Sequence, residues 1–155
     1  MNVLIGIVFA ASILLDQLSK VWAIDVLMDG SSIKVIGDFL RFTYAENRGA
    51  AFSILQDQRM FFIIITIVML GVLSYVFFKT KNISWLSRLS IAMIAGGAIG
   101  NFIDRVRFGY VVDFIDVRFG SFYNFPIFNI ADSFVVCGTI LMVILILFNR
   151  FERVN

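Results

Sequence analysis

The sequence predicts an all-α membrane protein with four transmembrane helices and a small β-rich element outside the membrane. Three observations predict it. The chain has 155 residues, of which 60% are hydrophobic and only 15% charged, where soluble domains run near ~45–50% and ~25%. Its mean hydropathy is +0.93. The apolar residues, eighteen Phe among them, are gathered into long runs separated by polar intervals. A chain of this length makes one domain, read as a single integral membrane domain over 1–155.

A bilayer core of about 30 Å needs roughly 20 helical residues. Val3 to Leu15 is too short alone, so the helix continues through Asp16-Gln17-Leu18-Ser19-Lys20 into Val21-Trp22-Ala23-Ile24, a span over about 3–24. It is expected to be retained, since Met1–Ser12 lacks the basic n-region of a cleaved leader and apolar character resumes after Lys20. Asp16 and Lys20 lie four residues apart on one helix face, a spacing that lets an acid and a base pair near a membrane boundary.

The interval 25–59 is polar. Gly37-Asp38 reads as a turn, and the alternation in Phe39-Leu40-Arg41-Phe42-Thr43-Tyr44 predicts a short strand. In Asn47-Arg48-Gly49-Ala50-Ala51-Phe52 the small residues permit close backbone approach, as a tight turn or a ligand contact requires. The second span covers about 60–78 and ends at Lys79-Thr80-Lys81. The third covers about 85–105 and carries Gly96-Gly97-Ala98-Ile99-Gly100, small residues that let helices pack closely in lipid. A connector over 106–125 holds Asp113 and Asp116, the latter read as solvated. The fourth span covers about 126–148.

Four spans put both termini on one side. Lys79, Lys81, Arg88, Arg150 and Arg153 flank that side, which the positive-inside rule makes cytoplasmic. The intervals 25–59 and 106–125 then lie outside, and the match of Asn82-Ile83-Ser84 to a glycosylation sequon is chance. This topology brings Asp16, Asn47, Asn101, Asp104, Arg105, Asp113, Asn129 and Asp132 to one depth near the outer membrane surface. A carboxylate costs about 2.5–3.5 kcal/mol at mid-bilayer and less near the interface, and such residues mark functional sites. Asp132 opens the last apolar run and Asp113 sits in Val111-Val112-Asp113-Phe114, so these two are read as facing each other.

The absence of His removes Ser-His-Asp and Cys-His catalysis and every His-ligated metal site. The one Cys, Cys137, lies within an apolar run, where it reads as a small core or lipid-facing side chain. No ligand set for a metal or cofactor is present. The net charge of +2, with no basic cluster, gives no case for nucleic acid.

Two adjacent carboxylates cannot both ionise cheaply, so one keeps a proton. Such a pair can activate water with one Asp and protonate a leaving amine with the other. Arg105 and Asn129 could fix the site or hold a substrate carbonyl. Asp104 beside Arg105, and Asp16 with Lys20, fit structural ion pairs. Other classes stay open at this point: a Ser–Lys dyad using Lys20, a proton-coupled transporter, or a non-catalytic adaptor. Ser19 is a poor partner for Lys20, because adjacent helical residues do not face each other. A site at the surface and no visible inverted repeat weigh against a transporter.

Five blocks in order carry a resemblance: Asp16-Gln17-Leu18-Ser19-Lys20; Asn47-Arg48-Gly49-Ala50-Ala51-Phe52; Gly100-Asn101-Phe102-Ile103-Asp104-Arg105; Val111-Val112-Asp113-Phe114; and Phe125-Pro126-Ile127-Phe128-Asn129-Ile130-Ala131-Asp132. Together they resemble the lipoprotein signal peptidase (signal peptidase II) family of bacteria over nearly the whole chain. The resemblance implies an intramembrane aspartyl endopeptidase of the cytoplasmic membrane. It would remove signal peptides from diacylglyceryl-modified prolipoproteins, cutting N-terminal to the lipidated cysteine. It implies Asp113 and Asp132 as the catalytic pair, and Asn47, Gly49, Asn101, Arg105 and Asn129 as substrate-binding or site-ordering residues. Asp16, Lys20 and Asp104 are implied as structural support, so Lys20→Ala is expected to act mainly on stability. It further implies a small extracytoplasmic β-cradle, which fits 25–57, an extracytoplasmic helix, no metal or cofactor, and inhibition by globomycin-type cyclic peptides. Prolipoproteins and membrane lipid are the expected partners of a monomer.

Overall fold

A computed structural model describes residues 2–49, 55–120 and 122–152. Eight elements follow in chain order: α1 (Asn2–Leu27), β1 (Ser32–Ile36), β2 (Leu40–Asn47), α2 (Arg59–Lys79), α3 (Trp85–Arg107), β3 (Val111–Phe119), β4 (Tyr123–Asn124) and α4 (Ile130–Leu147). All four helices are long and apolar enough to cross a membrane. The strands form one antiparallel sheet in the order β1-β2-β3-β4.

Helix α3 is the centre of the bundle and packs against α1, α2 and α4. Its small residues make this possible. A Cβ on Gly96 would sit 1.8 Å from Ser12 Oγ, one on Gly97 2.4 Å from the Ala131 carbonyl oxygen, and one on Gly100 2.5 Å from Asp16 Oδ2. On α4, a Cβ on Gly138 would sit 2.9 Å from Ile94, and Ser90 donates to the Gly138 carbonyl at 3.0 Å. Backbones that approach this closely gain dispersion contacts that lipid would otherwise supply. Helix α2 buries no residue.

The sheet sits on the end of α1. Ala23 and Leu27 from α1 and Val112 and Phe114 from β3 form a buried cluster, with Phe42, Tyr44 and Ile130 packed against it. Trp22 meets Phe42 edge to face at 5.3 Å and Phe114 at 6.0 Å. Aromatic contacts of this geometry stabilise beyond the area they bury. They fix the sheet, and with it Asp113, against the helical bundle.

The sheet is larger than the sequence indicates. Strand β2 covers the expected alternating stretch, and Gly37, with φ of +49°, makes the turn before it. The interval 106–125, read as a connector, instead supplies β3 and β4. Val111 to Phe114 are buried without a break, so both faces of β3 are covered and no alternation marks it as a strand. Asp116 is 2% exposed rather than solvated. Arg118 Nη2 donates to it at 2.6 Å and Thr43 Oγ1 at 3.3 Å.

The fourth helix begins at Ile130, later than the apolar run. Phe125–Phe128 is extended and bonded to β3, with Phe125 N–H donating to Val117 O at 3.0 Å and Phe128 N–H to Ile115 O at 3.1 Å. Among the described residues no helix accompanies the four long ones, so the extracytoplasmic helix implied by resemblance has no counterpart there. Ala50, Ala51 and Phe52 lie outside the described residues.

Candidate active site

Asp113 and Asp132 line the same open cavity of about 820 Å³. They arrive from different elements. Asp113 lies on β3, opposite Ala45 of β2, and is 2% exposed. Asp132 lies in the first turn of α4. The N-cap of that helix is Asn129, whose Oδ1 accepts the Asp132 N–H at 2.9 Å, the usual way to satisfy an orphan helix donor. The cap bond turns the Asn129 Nδ2 the other way, where it donates to Asp113 Oδ1 at 2.6 Å.

Two more amides complete the frame. Asn47, at the end of β2, donates to Asp113 Oδ2 at 3.0 Å, and its Oδ1 accepts the Gly49 N–H at 3.1 Å. Asn101 on α3 donates to Asp132 Oδ1 at 2.7 Å, and its own oxygen accepts from Asn129 at 3.0 Å. Both oxygens of Asp113 and one of Asp132 thus face N–H donors. Arg105 lies over the Phe62 ring at 4.8 Å and donates to the Gly49 carbonyl at 3.4 Å. Asn47, Gly49, Asn101 and Arg105 all line the cavity, with Phe125 to Phe128 and Val135 to Cys137 forming apolar wall.

Asp16, Lys20 and Asp104 stand behind this layer and do not line the cavity. Lys20 Nζ bonds Asp16 at 2.9 Å and Asp104 at 2.8 Å. Asp104 therefore pairs with Lys20, not with its neighbour Arg105, because adjacent helical residues point apart. Asp104 also accepts the Val112 N–H at 3.1 Å, and Asp16 the Ala131 N–H at 2.9 Å. Each carboxylate so ties α3 or α1 to the segment that carries a cavity Asp. Lys20 Nζ has three N–H donors, taken by Asp16, Asp104 and Asn101, and Ser19 Oγ donates to the Asp16 carbonyl at 2.8 Å. The lysine has neither a donor nor a lone pair left for a serine, so the geometry opposes a Ser–Lys dyad.

Gln17 escaped notice in the sequence. Its Nε2 donates to Asp104 Oδ1 at 3.0 Å, to the Gly100 carbonyl at 3.2 Å and to Asp16 Oδ2 at 3.3 Å. The available signal was its place three residues before Lys20 on the same helix face. Glu46 and Arg48, paired at 2.8 Å, also line the cavity. Cys137 is exposed and lines the cavity too.

Burial, and after it the negative charge of Asp132, push the Asp113 carboxyl up to about 7, against the pull of the Asn47 and Asn129 N–H donors and the Lys20 ammonium. A carboxyl poised there can accept or release a proton near neutral pH. It also predicts a stability profile. Between the ordinary 3.8 and about 7, the folded protein holds a proton that the unfolded chain has released. This contribution is therefore full below the ordinary value and lost as pH rises through about 7. The thermal midpoint in detergent should fall across that window, and Asp113→Asn should flatten the slope. An undiminished slope in the variant would place its origin in another group.

Two solved structures, each described as a bacterial membrane enzyme determined by the in meso method, superpose on this chain. One, at 2.3 Å resolution, gives a TM-score of 0.85 at 39% identity and is matched over 97% of this chain and 93% of its own. The other, at 1.9 Å, gives 0.83 at 41%, over 92% of each. Fold and site together thus define a membrane-spanning enzyme. The sequence matches the family described as signal peptidase (SPase) II over residues 8–148, and the chain belongs to that family. It is 46% identical over 141 residues to the lipoprotein signal peptidase of Clostridium tetani, 91% of this chain and 90% of the relative. It is 50% identical over 143 residues to that of Caldanaerobacter subterraneus, 92% and 94%. Membership makes the chain a peptidase and closes the transporter and adaptor alternatives.

Proposed function

We propose that this chain is an aspartyl endopeptidase that removes the signal peptide from diacylglyceryl-modified prolipoproteins, cutting N-terminal to the lipidated cysteine. The relatives are named lipoprotein signal peptidases. The observation that carries the catalytic type is the pair Asp113 and Asp132 in one cavity, both held by amide N–H donors. One carboxylate takes a proton from water as that water attacks the scissile carbonyl. The other, protonated, stabilises the developing oxyanion. The proton gained by the first then passes to the leaving amine as the C–N bond breaks. This route uses only the two carboxyls and water.

Asn47, Gly49, Asn101 and Arg105 act at the cavity, ordering the pair or meeting the substrate backbone, while Asn129, buried and outside the cavity lining, orders the pair alone. Asp16, Lys20 and Asp104 support them from behind. The positive flanks Lys79, Lys81 and Arg88 favour cytoplasmic termini, an extracytoplasmic sheet and a site near the outer surface, where water is available. Every described group of the site comes from this one chain, which fits a monomer. A cyclic peptide of the globomycin type would act by occupying the cavity.

The test supplies the purified protein, in detergent or liposomes, with a diacylglyceryl-modified prolipoprotein. The expected product begins at the lipidated cysteine. No cleavage, under conditions where an established relative cuts, would overturn the proposal.

A further inference from the structure

Lys20 touches neither cavity carboxylate, yet one of its bonds is not explained by charge pairing. Asp16 and Asp104 already surround the ammonium with negative charge. Its third donor goes to a neutral acceptor, Asn101 Oδ1, at 2.8 Å. The same oxygen accepts from Asn129 Nδ2 at 3.0 Å. Both its acceptor sites are therefore filled. Turning the Asn101 amide over would set its NH2 group against an ammonium and a second NH2, and would present a carbonyl oxygen to Asp132. The amide is locked with Nδ2 on Asp132 Oδ1 at 2.7 Å.

We propose that Lys20 is a positioning residue for the carboxylate pair: its ammonium, which Asp16 on the same helix suffices to hold, locks the Asn101 amide so that Asp132 always meets an N–H donor. This rests on Asp113 and Asp132 being the reacting pair. It departs from the expectation that Lys20 matters mainly for stability. The charged groups around the locked amide are Lys20 and Asp16 on α1, Asp104 and Arg105 on α3, Asp113 on β3 and Asp132 on α4. Lys20 is 2% exposed, so its charge is little screened by solvent.

Lys20→Met alone strands two buried carboxylates. Lys20→Met combined with Asp104→Asn removes one charge of each sign and keeps the cluster's net charge. It is compared with Asp104→Asn alone, with Asp132→Asn and with the parent. Readouts are kcat, KM, the pH profile of kcat/KM and the thermal midpoint, with a diacylglyceryl-modified prolipoprotein as substrate. The double variant should lose about 10–100-fold in kcat, the scale of a small misplacement at a reacting group, with KM near the parental value. Its acid limb should move to higher pH, because the pair loses a donor that favours the ionised form. Asp104→Asn alone should lower the midpoint and keep most of kcat.

Equal kcat losses in the double variant and in Asp104→Asn, or a double variant with parental kcat and pH profile, overturn the proposal. Asn101→Ser keeps it testable should the Lys20 variants not fold, since parental kcat there also overturns it. Parental cleavage by Asp132→Asn would instead remove the assignment of the pair, and this proposal with it.

Discussion

Asp132→Asn is expected to fold and insert like the parent and to lose at least ~10²-fold in kcat, the low end for acid–base catalysis. The substitution keeps size and shape. The Asp132 oxygen that accepts from Asn101 can be replaced by an amide oxygen, so the frame of hydrogen bonds survives. What vanishes is a group able to carry a proton. Asp113→Asn should do more damage. Both Asp113 oxygens face NH2 groups, from Asn129 and Asn47, so an amide must turn its own NH2 against one of them. An unsatisfied buried donor costs about 1–3 kcal/mol. Asp113→Asn should therefore lose activity and some site order together, read as a lower midpoint than the protonated parent below the ordinary 3.8, and no such deficit above about pH 7, where the parent carries a buried charge that the amide lacks. Unimpaired cleavage by both variants would sink the aspartyl mechanism.

Gly97→Val is expected to abolish both stability and activity. Even a Cβ there would stand 2.4 Å from the Ala131 carbonyl oxygen and 2.8 Å from Val135. The first obstacle is backbone in the opening turn of α4, so no rotamer change relieves it. Overpacking of a tight interface costs about 1–3 kcal/mol and sometimes more, and here α4 must move away from α3. Asn129 and Asp132 move with it. Gly71→Val is the control, since a Cβ at Gly71 meets nothing within 4 Å. If Gly97→Val keeps the parental midpoint in detergent, close α3–α4 contact does not hold the bundle together.

Much of this was legible in the residues. Length and apolarity show helices plainly, and a carboxylate inside an apolar run stands out because it is costly there. Less visible was anything decided by a partner far away in the chain. Asp104 looked matched to Arg105, but its cation is Lys20, on another helix. Asp116 looked solvated, because only a folded sheet brings Thr43 beside it. Strand β3 lacked alternation because both its faces are covered. The start of α4 was obscured because Phe125 to Phe128 are as apolar as the helix they precede. Only the Asn129 cap and the bonds to β3 mark where helix begins.

The extended run Phe125–Phe128 has a mechanical consequence. It is bonded to β3 and leads straight into α4, so the carriers of both carboxylates form one short, braced loop. Bilayers of different thickness tilt the helices that cross them. Helix α2, which buries no residue, can follow such tilting with little effect on the loop. Membrane thickness then reaches the spacing of Asp113 and Asp132 through α4, which carries Asp132, and not through α2, as the jaws of a vice answer to their own screw and not to the bench.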